Sequence, residues 1–149
     1  MIDEVGIARR APYALAALRI VTGLIFLEHG TQKFFGFPAG EMAGIGWGFD
    51  NPAAIAGLIE LVAGALITIG LFTRSAAFVA SGTMAVAYWM AHAPQNAFPV
   101  NTGGDAAILY CFVFLYLVFA GPGVWSVDEI RGRARSAARI ADDYPGLPN

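Results

Sequence analysis

The chain has 149 residues, 57% of them hydrophobic and 13% charged, with a mean hydropathy of +0.60. Charge at about half the usual quarter excludes a disordered segment and argues against a water-soluble domain, whose surface needs more polar cover. A net charge of −2 gives no basic field for nucleic acid, and a single cysteine, Cys111, excludes an internal disulfide, a CxxC redox pair and a cysteine-rich zinc site.

A helix needs roughly 20 apolar residues to cross about 30 Å of hydrocarbon, and four windows approach that length. The first covers about residues 12–30, with Pro12 at a helix start, where its missing N–H costs nothing. The second covers about 52–72, opened by Asp50 and Asn51 as caps and by Pro52. The third, about 75–92, follows a connection at Thr73-Arg74 that is too short for anything but a helical hairpin. The fourth, about 105–120, is the most hydrophobic, lacks a polar face and closes at Gly121-Pro122-Gly123. Ser126-Val127-Asp128-Glu129 fits a capping box and starts a short arginine-rich helix, followed from Asp142 by a frayed tail. The expected fold is all-α: a membrane four-helix bundle over residues 1–125, with a cytoplasmic C-terminal helix and tail over 126–149.

Arginines set the orientation. Arg9, Arg10, Arg74, Arg131, Arg133, Arg135 and Arg139 flank the windows on one side, whereas the two glycine-rich loops hold only Lys33. The positive-inside rule places both termini and the hairpin in the cytoplasm, with the loops 31–51 and 93–104 outward. Trp47, Trp89 and Trp125 then fall near the two interfaces, where aromatic residues concentrate.

Ionisable groups inside a span are costly unless paired or hydrated, and Arg19, Glu28 and Glu60 are the three within the windows. Arg19 lies roughly 10 Å from the cytoplasmic end and Glu60 roughly 18 Å in the antiparallel neighbour, a difference two long side chains bridge. The expectation is an Arg19–Glu60 pair, either holding the helices together or lining a path for a ligand head or a proton. Rotation of about 100° per residue puts Arg19, Thr22, Phe26, Gly30 and Lys33 on one stripe, with His29 to its side and Glu28 opposite Arg19. Gly57 and Gly64, near Glu60, are small residues that let helices approach closely in lipid.

His29, Lys33, His92 and Asp105 gather at the outer ends of the windows. The histidines lack a metal-ligand spacing, so no metal is expected, and His92 reads as a capping or hydrogen-bonding residue. The composition better suits a quinone, a flat apolar ligand with two carbonyl oxygens. Phe26, Phe34, Phe35, Trp47 and Trp89 are candidates for its walls, His29 and Lys33 for donors, and Glu28, Asp105, Arg19 and Glu60 for proton exchange.

The segments LRIVTGLIFLEHGTQKFFGFP, GLIELVAGALITIGLFTR, GGDAAILY and FAGPGVWSVD carry a pattern that resembles the DoxX family of small four-helix membrane proteins. The resemblance spans about Leu18 to Asp128. Its most specific pieces are His29, Gly30, Lys33 and Gly36, then Glu60 with Gly64, Thr73-Arg74, and Gly121 to Asp128. Asp105 departs from it, since the family more often has glutamate there. The resemblance implies a bacterial or archaeal cytoplasmic membrane and a link to membrane oxidoreductases, among them an archaeal thiosulfate:quinone oxidoreductase and enzymes of oxidative stress and sulfur handling. The leading expectation is a subunit that binds a quinone or a redox partner protein in the bilayer, alone or as a homo-oligomer. The rivals are a non-catalytic scaffold or assembly factor and, third, a small transporter. No catalytic residue is assignable from the sequence.

Overall fold

The computed structural model describes residues 4–48 and 50–143, and among them every regular element is helical. The order is α1 (Glu4–Phe35), α2 (Pro52–Ile69), α3 (Thr73–Ala87) continued by a π-helical turn (Tyr88–His92), a 3-10 turn (Pro99–Asn101), α4 (Gly104–Ala120) and α5 (Val127–Asp143). α1 packs along α2, α3 along α4, and α2 against α3, while α1 and α4 touch sparingly. The tail expected from Asp142 starts later, since Asp142 and Asp143 still belong to α5, and its remainder, 144–149, lies outside the described residues.

Both ends of the first helix depart from expectation. Pro12 lies inside α1 and does not start it, because the helix begins at Glu4. The carbonyl freed by the proline, that of Ala8, sits in an exposed turn, where water satisfies it. At the other end α1 runs past Gly30 to Phe35, so its 32 residues make a rod of about 48 Å, longer than the hydrocarbon. Gly30 is buried in the helix and terminates nothing. The hairpin is also displaced: α2 stops at Ile69, Gly70 to Phe72 form the connection, and Thr73 and Arg74 already belong to α3.

Four glycines explain how α1 and α2 meet. Gly23 and Gly30 on α1 and Gly57 and Gly64 on α2 each recur at seven residues and lie in the contact. A Cβ added to Gly30 would sit 2.7 Å from the Leu61 nitrogen and 2.9 Å from the Gly57 oxygen; one added to Gly64 would sit 2.8 Å from the Leu27 nitrogen. These are backbone atoms that cannot rotate away. In lipid no hydrophobic force pulls helices together, so close backbone approach and the dispersion contacts it permits supply the attraction. The rest of the core is similarly small: Ala63, Ala76, Ala77 and Ala80 surround Phe26, Ile67, Met84, Phe114 and Leu117.

The outside is apolar. Phe119 is 75% exposed, Phe78 67% and Leu109 66%. Such a surface is an aggregation liability in water and a normal one in a bilayer. α1 and α2 are each long and apolar enough to cross a membrane, and α4 is equally apolar over 17 residues. The chain is an α-helical membrane bundle.

One end of the bundle is closed by side chains from distant elements. Asn51 caps α2 conventionally, its Oδ1 accepting from the Ala53 N–H at 2.9 Å. α3 has no cap of its own, because Phe72 at its N-cap position has φ +50° and no suitable side chain. Asp128 supplies the cap from α5: its carboxylate accepts from the Phe72 N–H at 3.0 Å and the Thr73 N–H at 2.8 Å. Arg74 then donates to the terminal α4 carbonyls of Val118 at 2.5 Å and Phe119 at 2.7 Å. Gly70, at φ +70°, accommodates Ser126, whose Cβ lies 2.3 Å from where a Gly70 Cβ would be. Ser126 begins α5 through one arm of the expected capping box, its Oγ accepting from the Glu129 N–H at 3.1 Å; the Glu129 carboxylate does not bond back and meets Arg133 at 2.5 Å.

Two outcomes test this architecture. Gly30→Leu and Gly64→Leu should lower the melting temperature in detergent, each costing at least the ~1–3 kcal/mol typical of overpacking, since rigid backbone must move. Gly82→Ala, where an added Cβ meets nothing within 4 Å, should not. Partial burial of the Asp128 carboxyl disfavours its charge, but the Thr73 and Phe72 N–H groups and nearby Arg131 outweigh this and hold it below its ordinary value. A carboxyl titrating lower folded than unfolded stabilises the fold above the unfolded value of about 4, and the gain is lost as pH falls through the folded value. Asp128→Asn should therefore melt below wild type at pH 7, and the two curves should converge as the pH is taken below 4.

Candidate functional site

The glycine contact decides which charges meet. Lys33 lies on the stripe Arg19, Thr22, Phe26, Gly30, Lys33 and is buried with the rest of it. Its stem crosses Gly57, where an added Cβ would be 3.0 Å from the Lys33 Cδ and from the Phe34 Cε2. The ammonium reaches both oxygens of Glu60, at 2.6 and 2.7 Å, with side-chain exposures of 11% and 3%. The partner of Glu60 is therefore Lys33, and the expected Arg19–Glu60 pair does not form. Extending α1 beyond Gly30 is what carries Lys33 back into the α1–α2 contact.

Arg19 is wholly buried and solves its charge differently. Its guanidinium donates to five backbone carbonyls: Ile67 at 2.8 Å, Thr68 at 2.5 Å, Pro122 at 2.7 Å, Trp125 at 2.8 Å and Val124 at 3.4 Å. Two of these lie in the last turn of α2, the negative end of its dipole, where the Ile67 carbonyl also accepts from the Gly70 N–H at 3.1 Å. The others belong to the Gly121-Pro122-Gly123 turn and the residues after it. Arg19 is thus a clasp joining α1, α2 and the segment before α5, at the opposite end of the bundle from Lys33.

The loop after α1 returns to the end of the helix that carries Lys33. The Gly44 N–H bonds the Gln32 carbonyl at 3.3 Å and the Ile45 N–H bonds the Lys33 carbonyl at 2.9 Å, folding the loop back on the helix end. This sets Trp47 in a stack on Phe34, 4.0 Å between centroids, with Phe35 edge-on at 6.0 Å. Trp47 packs on Phe34 and Phe35 and not on His29. Trp89 is exposed and packs edge-on with Tyr88. His92 holds the loop before α4, its Nδ1 donating to the Thr102 carbonyl at 2.8 Å. Asp105 is exposed in the first turn of α4, where a negative charge favours the helix.

A second cluster fills the sparse contact between α1 and α4. Phe26 and Phe114 meet edge to face at 4.7 Å, and Tyr110 lies 5.6 Å from Phe26 and 5.7 Å from Phe114. The exposed His29 ring stands edge-on to Tyr110 at 5.8 Å. The Nδ1 of His29 is 2.8 Å from the Ile25 carbonyl, which only accepts, so Nδ1 carries the proton and Nε2 presents a lone pair. Sequence reading passed over Tyr110, which sits in the most apolar helix; its signal was one polar tip in the segment GGDAAILY. Among the described residues no three His, Cys, Asp or Glu side chains gather as metal ligands.

A buried pair stripped of one member leaves an unpaired charge, at a cost of about 3–5 kcal/mol. Lys33→Met and Glu60→Met should each lower the melting temperature strongly. The double variant, with two apolar side chains of similar length, should recover most of the loss. A double variant as unstable as either single one would show that the pair is not the interaction being removed.

Comparison with known proteins adds the lineage. The DoxX family model matches residues 14–93, which include α1 from its fourth turn, α2, α3 and the π-helical turn. An uncharacterized protein of Haemophilus influenzae is 45% identical over 121 residues, covering 79% of this chain and 90% of its own length. An uncharacterized membrane protein of Mycobacterium tuberculosis is 30% identical, covering 79% of this chain and 81% of its own. No solved structure matches. The glycine contact with its buried Lys33–Glu60 pair is thus held in a chain that belongs to the DoxX family of membrane proteins.

Proposed function

We propose that this protein is a quinone-binding membrane subunit of an oxidoreductase system, with the ligand head in the cleft between α1 and α4. The observation that carries the reading is His29 set edge-on to Tyr110 above the Phe26–Phe114 contact. An apolar aromatic floor, a titratable rim and an opening to lipid are what a quinone site requires. A bound quinone supplies a two-electron, two-proton couple, with the electrons exchanged with a partner redox protein. His29 Nε2 takes a proton from a ligand hydroxyl or, once protonated, donates to a ligand carbonyl. The bond from Nδ1 to Ile25 fixes the ring for this and leaves Nε2 to act. Glu28, exposed next in the chain, is placed to pass protons onward.

Lys33 and Glu60 act in this reading as a fixed charge pair behind the cleft and not as direct ligands, because each already satisfies the other. Four membrane crossings with both termini in the cytoplasm accord with the arginines at the hairpin and on α5, and put the cleft near the outer face. The membrane is taken to be the cytoplasmic one.

The test is purification with native lipid, extraction, and measurement of quinone per protein, followed by titration of a quinone analogue. Quinone should co-purify, and His29→Ala or Tyr110→Phe should weaken analogue binding about tenfold, the worth of one lost hydrogen bond. Trp89→Ala should bind as wild type. Absence of quinone together with unaltered analogue binding in His29→Ala would overturn the proposal and favour a membrane scaffold.

A further inference from the structure

A groove of about 400 Å³ lies between α2 and α3, away from the aromatic seam of α1 and α4. Leu58, Val62 and Leu66 line it from α2, Val79 and Ala76 from α3, and Phe72 closes its hairpin end. From Leu58 to Leu66 it runs about 12 Å along the helix axis. Its lining is almost wholly apolar, so it offers nothing to orient a polar molecule, and its depth comes from the small residues Ala63, Ser75 and Ala76 beneath.

The mouth is different in chemistry. The Arg131 guanidinium carbon stands 5.6 Å from the centroid of the Phe72 ring. Arg135 and Arg139 follow at one and two turns, all three exposed on one stripe of α5. Ile130, Ala134 and Ala137 form the adjoining apolar arc, also exposed. A helix of this pattern lies at the membrane surface with its arginines at headgroup level. The end of an acyl-sized groove and a row of cations thus coincide at one ring, Phe72.

We infer that the α2–α3 groove and Arg131 form a binding site for an anionic phospholipid, with one acyl chain in the groove and its phosphate on Arg131. Charge complementarity selects the occupant. Asp128 is near Arg131 but is committed to the N–H groups of Phe72 and Thr73, so a neutral lipid fills the groove without adding a partner for the arginine, and a free phosphate pairs with the arginine but leaves the groove empty. The site also couples the membrane surface to the fold, since Asp128, one turn before Arg131, caps α3.

The full-length protein, delipidated in detergent, is incubated with equal amounts of phosphatidylglycerol and phosphatidylcholine of identical acyl chains, and retained lipid is counted by native mass spectrometry. Wild type should retain phosphatidylglycerol preferentially. Arg131→Gln should reduce that preference about fivefold, the effect of one surface cation on an anionic lipid. Val62→Trp, which fills the groove, should reduce retention of both lipids, and Val79→Phe repeats the test should the first variant melt early. Glycerol phosphate, a headgroup without chains, should compete weakly. Equal retention of the two lipids by wild type, an unchanged preference in Arg131→Gln, unchanged retention in both groove variants, or competition by glycerol phosphate as strong as by the intact lipid would each overturn the site.

Discussion

Backbone-to-backbone contact between α1 and α2 is the constraint on which the rest of this structure depends. Two helices in lipid gain nothing by hiding apolar surface from each other, and they stay together only where their atoms fit more closely than lipid fits either. Gly23, Gly30, Gly57 and Gly64 provide that fit by leaving backbone nitrogen and oxygen within reach across the interface. The seven-residue spacing on both helices keeps the contact on one face over several turns. It also sets the axial register of the two helices, and the register decides which charged side chains face which.

Two buried cations on the same stripe of α1 then find opposite solutions. Lys33 carries a compact charge on a flexible stem, and it meets a carboxylate whose two oxygens it bridges. Arg19 carries a planar fork of donors, and it meets no carboxylate but a crowd of carbonyls. Exchanging the two would fail at both places. An ammonium has too few donors for the carbonyls at the end of α2 and the turn before α5, and a guanidinium is too wide for the space above Gly57, where Phe34 already stands 3.0 Å from a would-be Cβ.

Much of this was legible in the sequence. Composition identified the solvent, proline and asparagine marked the start of α2, and the S-x-x-E run marked the start of α5. The stripe from Arg19 to Lys33 followed from helical rotation alone. What misled was Gly30, whose residue type suits both a helix end and a close helix contact. Read as an end, it left Lys33 in a loop and made Arg19 the only cation available to Glu60. The motifs Thr73-Arg74 and Gly121 to Asp128 stood out as patterns, but their work is done across 44 to 56 positions of chain, where Arg74 caps α4 and Asp128 caps α3. Local periodicity carries no information about such partners.

Saturation separates the residues that hold the fold from those placed to act. A side chain whose hydrogen bonds are all made must break some of them before it binds a ligand, and in low dielectric each broken charge-assisted bond is expensive. Arg19 is in that condition with all five donors engaged, Lys33 commits two of its three to the Glu60 carboxylate, and the Nδ1 of His92 is held by the Thr102 carbonyl. His29 is the contrast: one ring nitrogen is fixed by its own helix and the other is presented beside Tyr110, at the one seam where helices of the bundle meet through rings and not through glycines. Glycines let α1 and α2 meet backbone to backbone, whereas α1 and α4 meet sparingly, through the rings of Phe26, Tyr110 and Phe114. On the proposed reading the ligand therefore belongs at the aromatic seam, and the glycine seam holds the register that pairs Lys33 with Glu60.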